Sequence, residues 1–250
     1  MKTNRNKIAF AVTAAIILAI FGALFSGSFT PTAAAKAVDV KYAPIPAGAY
    51  NIDPAHSIIG FAVRHLEINW VEGRFKDFTG TVNFDDKDIT KSNVQFTAKI
   101  ASIDTGVDAR NNHLKTADFF DAAKYPDLKF VSTKVERKGK DKYLLTGDLT
   151  IKDVTKTISF PFTLTGAVKD PWGGTRFGIQ AETVINRQDY NVKWGHALTE
   201  GGLDVGNNIT VKLQLEAVKP GSRTLIVDDV LTTGRSLAEV SEVLAGAGGV

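Results

Sequence analysis

Few residues in this 250-residue chain have types and spacing that could do chemistry. His56 precedes Ser57, a base beside a nucleophile. Neighbours on a strand point to opposite faces, so this pair alone is not a nucleophile–base couple. His65 and His113 could meet another group only through the fold. There is no HxxxH or similar metal-ligand spacing. The acids Asp85-Asp86 and Asp118 with Asp121 read as turn and helix-cap residues, not as a glycosidase dyad. Cysteine is absent, which excludes disulfides, thiolate metal sites, a Cys nucleophile and a lipidated Cys anchor. The residues themselves therefore point to no catalytic centre, no metal and no cofactor.

The charge balance narrows the partners. The chain has 30 Lys+Arg and 27 Asp+Glu. Lys2, Arg5 and Lys7 lie in residues 1–35, which carry no acid, so 27 basic and 27 acidic residues remain. A neutral remainder offers no general attraction to nucleic acid or to an anionic membrane. Ile8 to Phe25 is an uncharged apolar run, and small residues follow up to Thr-Ala-Ala-Ala-Lys-Ala. This is the pattern of a secretory signal peptide over residues 1–35. Cleavage after Ala35 or after Ala37 would satisfy the small-residue rule. The run is also just long enough to serve as an uncleaved membrane anchor. Both readings place the body outside the cytoplasm, periplasmic or secreted. Residues 36–47 hold two prolines and no periodicity, and read as a linker.

The elements that would position any site are strands. From about residue 48 to 218 the hydrophobic period is two. Tyr143, Leu145, Gly147, Leu149 and Ile151 alternate with Leu144, Thr146, Asp148 and Thr150. The same alternation runs through 94–100, 158–164, 177–185 and 209–217, and segments 57–65, 74–85 and 127–136 are strand-like. Turn signals such as Lys138-Gly139-Lys140 and Asp170-Pro171-Trp172-Gly173-Gly174 separate them. About eight strands and one helical insert, at about 108–123, are predicted. Strands with one apolar face must bury it against each other, and a closed or sandwiched antiparallel sheet does so. An eight-stranded barrel can also enclose a small ligand. A filled barrel and a ligand-holding barrel show the same pattern, so the aromatics fit either role.

The order of motifs in the body resembles the YceI family of secreted bacterial lipocalin-like proteins. The residues that carry the likeness are Tyr50-Asn51-Ile52-Asp53-Pro54-Ala55-His56-Ser57, Phe61-Ala62-Val63-Arg64-His65, Gly73-Arg74-Phe75 with Phe78-Thr79-Gly80, and Ala101-Ser102-Ile103-Asp104-Thr105. Arg110 to Lys115, Asp118 to Asp121 with Tyr125-Pro126, Gly147 to Ile151 and Ile185 to Tyr190 complete the series. The resemblance implies an all-β, lipocalin-like antiparallel barrel over residues 48–218 and a non-catalytic role. It further implies an apolar tunnel for a polyisoprenoid chain, such as that of a quinone or an isoprenoid pyrophosphate. The inward apolar candidates are Phe61 and Val63, Val82 and Phe84, Phe96 and Ile100, and Leu145 and Leu149. Phe160 and Phe162, Phe177 and Ile179, and Val211 and Leu213 continue the set. A polar head would want donors at the mouth, and Arg64, His65, Arg110, His113 and Arg187 are the candidates. A membrane-proximal lipid donor and a homodimer are further expectations, though the alternation shows no apolar outer patch. A barrel that binds a partner without any ligand is the alternative.

Residues 219–250 break the pattern. Asp228, Asp229, Thr232, Thr233, Gly234 and Ser236 follow an apolar strand-like stretch. This segment resembles the phosphoribosyl pyrophosphate loop of type I phosphoribosyltransferases, whose acids hold ribose hydroxyls and whose loop cradles the 5′-phosphate. That fold needs a parallel sheet with crossover helices, and only 32 residues follow Val218. An isolated strand–loop–helix appendage without transferase activity is therefore expected.

Overall fold

The computed structural model describes residues 40–221. The leader, its cleavage positions and the Asp228–Ser236 motif with its expected appendage lie outside the described residues. The barrel belongs to a compact unit that begins at Tyr42.

Among the described residues eleven strands form, in chain order: β1 (Gly48–Ile52), β2 (Ile58–His65), β3 (Asn69–Phe75), β4 (Phe78–Phe84), β5 (Asn93–Lys99), β6 (Ile103–Asp104), β7 (Asp127–Arg137), β8 (Tyr143–Ile151), β9 (Val154–Lys169), β10 (Thr175–Asn186) and β11 (Val205–Val218). An α-helix, α1 (Asp108–Lys115), precedes β7. Eight of the strands close a ring, in the order β1-β4-β5-β7-β8-β9-β10-β11 and back to β1. All of these pairings are antiparallel. The expected eight-stranded barrel is therefore present; seven of its strands lie in segments read from the sequence, and β1 joins the ring where segment 57–65 was expected.

β1 and β2 succeed one another along the same partner. Ile52 pairs with Ala217 of β11, and Ile58 pairs with Gln214. A turn of 3-10 helix, Pro54–His56, joins them. Proline suits the first position of that turn because it has no N–H to satisfy there. Asp53 caps the turn, its Oδ1 accepting from the Ala55 N–H at 3.0 Å. β2 then hairpins into β3, which adds β6 at its far end.

The stretch 74–85 is two strands rather than one. Phe75 ends β3 and Phe78 begins β4. Between them the Lys76 N–H donates to the Ser102 carbonyl, and the Asp77 carbonyl accepts from the Lys99 N–H. Backbone partners from another segment thus switch the chain from one strand neighbour to the next. The helix is also shorter than expected. It stops at Lys115, where the Thr116 hydroxyl and N–H both return to the His113 carbonyl. Asp121 then takes a φ of 51°, left-handed backbone that a continuing helix excludes. Residues 43–47, read as part of a linker, pack on the barrel. Ala43 exchanges both backbone hydrogen bonds with Ala167, and Ile45 is buried.

Alternation decides what lies inside. Along β8 every second residue from Tyr143 to Ile151 is buried. Gly147 is the small member of that row, and the Phe130 ring fills its place, with ring carbon Cζ 2.4 Å from where a Cβ would stand. Two clusters of buried residues result. One groups Tyr50, Phe78, Ala98, Ile100 and Phe177. The other groups Phe119, Phe130, Leu145, Phe160 and Tyr190.

Candidate functional site

The barrel encloses a cavity of about 250 Å³. Its wall is built from the inward rows. β10 contributes Phe177, Ile179, Ala181, Thr183 and Ile185, and β11 contributes Ile209, Val211, Leu213 and Leu215. From Phe177 to Ile185 the chain advances about 26 Å at ~3.3 Å per residue, or about 20 Å along the axis at ordinary barrel tilt. A small volume spread over that length makes a narrow channel. Leu114 of α1 and the following Phe119 and Phe120 join the lining, so the helical insert forms part of the wall.

The apolar candidates read from the sequence all line this cavity except Ile100. Its parity was right, but β5 ends at Lys99, and Ile100 opens a turn of 3-10 helix, Ile100–Ser102. Its side chain is buried in the core with Phe78, Ala98 and Ile103 instead.

The five polar candidates are not brought together. Arg64 lies outward, its guanidinium carbon 4.6 Å from the Trp70 ring centre. It follows inward Val63, so period two places it outside. His65 is exposed at the end of β2. Arg110 donates through Nε and Nη2 to the Thr105 hydroxyl and carbonyl, at 2.8 and 2.7 Å. His113 faces Asp118 at 2.9 Å and packs edge-on against Phe119 and Trp194. Only Arg187 lines the cavity.

Arg187 opens a 3-10 turn, Arg187–Tyr190, directly after β10. Asn186 caps it, its Oδ1 accepting from the Gln188 N–H at 2.9 Å. Asn191, at φ 58°, ends it, a conformation Asn tolerates. The Arg187 guanidinium is buried and donates to four main-chain carbonyls: Nε to Gly206, Nη1 to Val192 and Trp194, and Nη2 to Val205. Burial pushes its pKa down from the usual value, and nearby Asp204 pulls weakly the other way. Tyr190 lies three residues on and also lines the cavity. It is 2% exposed, and its hydroxyl has no hydrogen-bond partner among the described residues. Sequence reasoning missed Tyr190. The one available sign was its place in the Asn186-Arg187-Gln188-Asp189-Tyr190 motif.

A second polar cluster sits away from the cavity. Arg176 donates through Nη1 to Asp53 Oδ2 at 2.8 Å and to Glu216 Oε1, and through Nε to Asp170 Oδ2 at 2.7 Å. Burial alone would raise the Asp53 carboxyl, but hydrogen bonds from His56 and Arg176 outweigh it and hold the pKa below its ordinary value. Asp170 is lowered by its bond from Arg176 and by the Gly174 and Trp172 N–H groups. Asp53, His56 and Glu216 present ligand-type atoms within 4.8 Å of one another. The Arg176 guanidinium already supplies the cation that bridges Asp53 and Glu216, so this is an ion-pair lock that joins the turn after β1 to β10 and β11. Ser57 is similarly committed, its hydroxyl accepting from the Glu216 N–H at 2.9 Å while His56 turns to Asp53. The two side chains serve different partners, as strand geometry required.

A closed antiparallel barrel around an apolar channel defines a lipocalin-like ligand-binding protein. Residues 50–217 match the model of the YceI-like domain, and the chain belongs to that family. A UPF0312 protein of Photorhabdus laumondii is 44% identical over 149 residues, covering 59% of this chain and 77% of that protein. The crystal structure of Burkholderia cenocepacia BcnA is similar at 28% identity with a TM-score of 0.57, covering 66% of this chain and 98% of that one. A polyisoprenoid binding domain from Saccharophagus degradans, implicated in plant cell wall breakdown, shares the fold at 16% identity. Its TM-score is 0.52, and it covers 70% of this chain and 100% of that one.

Proposed function

We propose that this protein is a non-catalytic, exported carrier that holds a polyisoprenoid or similar amphiphilic lipid in its barrel. The observation that carries the reading is the channel: long, narrow and lined almost wholly by Phe, Ile, Leu and Val. An extended hydrocarbon suits such a shape better than a compact ring system. Each methylene taken from water into the channel contributes on the order of 0.8 kcal/mol, so affinity needs no catalytic group. The Saccharophagus domain, described as polyisoprenoid binding, supports the ligand class through the shared fold. The apolar run between Lys7 and the alanine-rich segment supports export.

Two measurements test this. Organic extraction of the purified protein, followed by mass spectrometry, is expected to release an isoprenoid. The stripped protein is expected to bind an added prenyl lipid. An empty extract together with no uptake of added prenyl lipid would overturn the ligand assignment. For export, protein recovered from a periplasmic fraction is expected to begin at Lys36 or Val38. A full-length chain confined to the cytoplasm would contradict it.

A further inference from the structure

We infer that the Tyr190 hydroxyl is the hydrogen-bond donor for a neutral oxygen of the bound lipid, a carbonyl or hydroxyl held beside the Arg187–Tyr190 turn. This rests on the proposed function and deepens it by naming the head-group class and its place in the channel. The phenol is buried, lines the cavity and has no partner among the described residues. A buried hydroxyl left unpaired is costly, so a partner from the ligand gains more there than it would on the surface. Water is a poor substitute, because an ordered water needs two to four polar partners and the surrounding wall is apolar. Burial also keeps the phenol protonated, since it raises the pKa above the ordinary value and Asp189 adds to this. The group is therefore a donor, not an anion.

The neighbouring arginine decides between head groups. A diphosphate needs several donors converging on it. Arg187 has five N–H groups, and four already serve the carbonyls of Val192, Trp194, Val205 and Gly206. Those four bonds leave the guanidinium little donor capacity for an approaching anion. One phenol hydroxyl in a channel whose arginine is already committed suits a single neutral acceptor.

The test compares three probes on wild type and Tyr190→Phe: a prenylated benzoquinone, a prenylbenzene of the same chain length, and the matching prenyl diphosphate. Wild type is expected to bind the quinone more tightly than the prenylbenzene by about two- to tenfold, the range of one net hydrogen bond. It is expected to bind the diphosphate more weakly than the quinone. Tyr190→Phe is expected to abolish the preference for the quinone while binding prenylbenzene as wild type does. Its unliganded melting temperature is expected to stay equal or rise, which separates loss of a contact from loss of fold. Equal quinone preference in both proteins would overturn the assignment to Tyr190 and leave the lipid-binding reading standing. Tighter binding of the diphosphate than of the quinone would overturn the neutral head group. Failure of wild type to bind any of the three would overturn the lipid-binding reading and this assignment with it.

Discussion

Two arginines mark the ends of β10, Arg176 as its second residue and Arg187 directly after it, and both are buried, with 8% and 5% of their surface exposed. They keep opposite company. Arg176 meets three carboxylates, from Asp53, Asp170 and Glu216. Arg187 is bonded to backbone carbonyls. The first arrangement sets charge against charge and ties strand ends together outside the channel. The second spreads a positive charge over oxygen dipoles and holds the 187–206 connection in the channel wall. A carboxylate beside the channel would bring another charge to desolvate next to an apolar ligand. Carbonyls supply the acceptors without adding one.

The largest expected effect comes from breaking the carbonyl-bound arginine. Arg187→Met would leave four carbonyls without their donor, and each buried orphan costs about 1–3 kcal/mol. A loss of about 4 kcal/mol or more in urea unfolding is expected. Arg187→Lys would recover little of it, since an ammonium cannot match a planar fork of donors. A loss below about 1 kcal/mol would show that the connection rearranges freely and that the contrast between the two arginines is superficial.

Arg176→Met ranks next, at about 3 kcal/mol near neutral pH, because it strands the buried carboxylate of Asp53. Since the lock lies away from the cavity, lipid affinity is expected to remain that of wild type. The pH dependence separates the two sites further. Asp53 and Asp170 have folded-state pKa values below their ordinary ones. Their contribution is fully present above the unfolded pKa, about 3.9, and is lost as pH falls through the folded values. Wild-type melting temperature should therefore drop below about pH 4. The deficit of Arg176→Met should shrink as pH falls through the carboxylate range, starting at higher pH than the wild-type drop, because its stranded acids lose the bonds that held their pKa values down. The deficit of Arg187→Met should not shrink, since carbonyls do not titrate. Parallel pH profiles for the two variants would refute the distinction.

The sites also differ in how far the sequence revealed them. Period-two alternation identifies the channel wall, because parity alone sends Leu145, Phe160, Ile179 and Leu213 inward. Parity fails where a strand stops. Ile100 leaves β5 for a 3-10 turn, and Arg187 and Tyr190 lie on another such turn just beyond β10. No local pattern says which way those side chains face. The break between Phe75 and Phe78 was hidden for a related reason. Its cause is pairing with Ser102 and Lys99, far along the chain, and no Gly or Pro marks it. The short β1 lacks enough residues to show a period, and its partners lie in β4 and β11. The Arg176 lock joins residues 53, 170, 176 and 216, a grouping that exists only once the barrel closes.

A third arginine supplies the smallest effect and a control on the other two. Arg64 sits on the outer face of β2, over the Trp70 ring. Its interaction is a partly solvated cation–π contact, which contributes about 0.5–1 kcal/mol. Arg64→Ala should therefore cost no more than about 1 kcal/mol in urea unfolding. Because Val63 and not Arg64 faces the channel, the affinity for a prenyl lipid should not change. A several-fold loss of lipid affinity in Arg64→Ala, without a matching loss of stability, would place a head-group contact on the outer rim of the barrel. It would then count against the inward assignment at the Arg187–Tyr190 turn. Measured beside Arg187→Met and Arg176→Met, it shows whether an arginine's effect follows from where its guanidinium points or only from removing a positive charge.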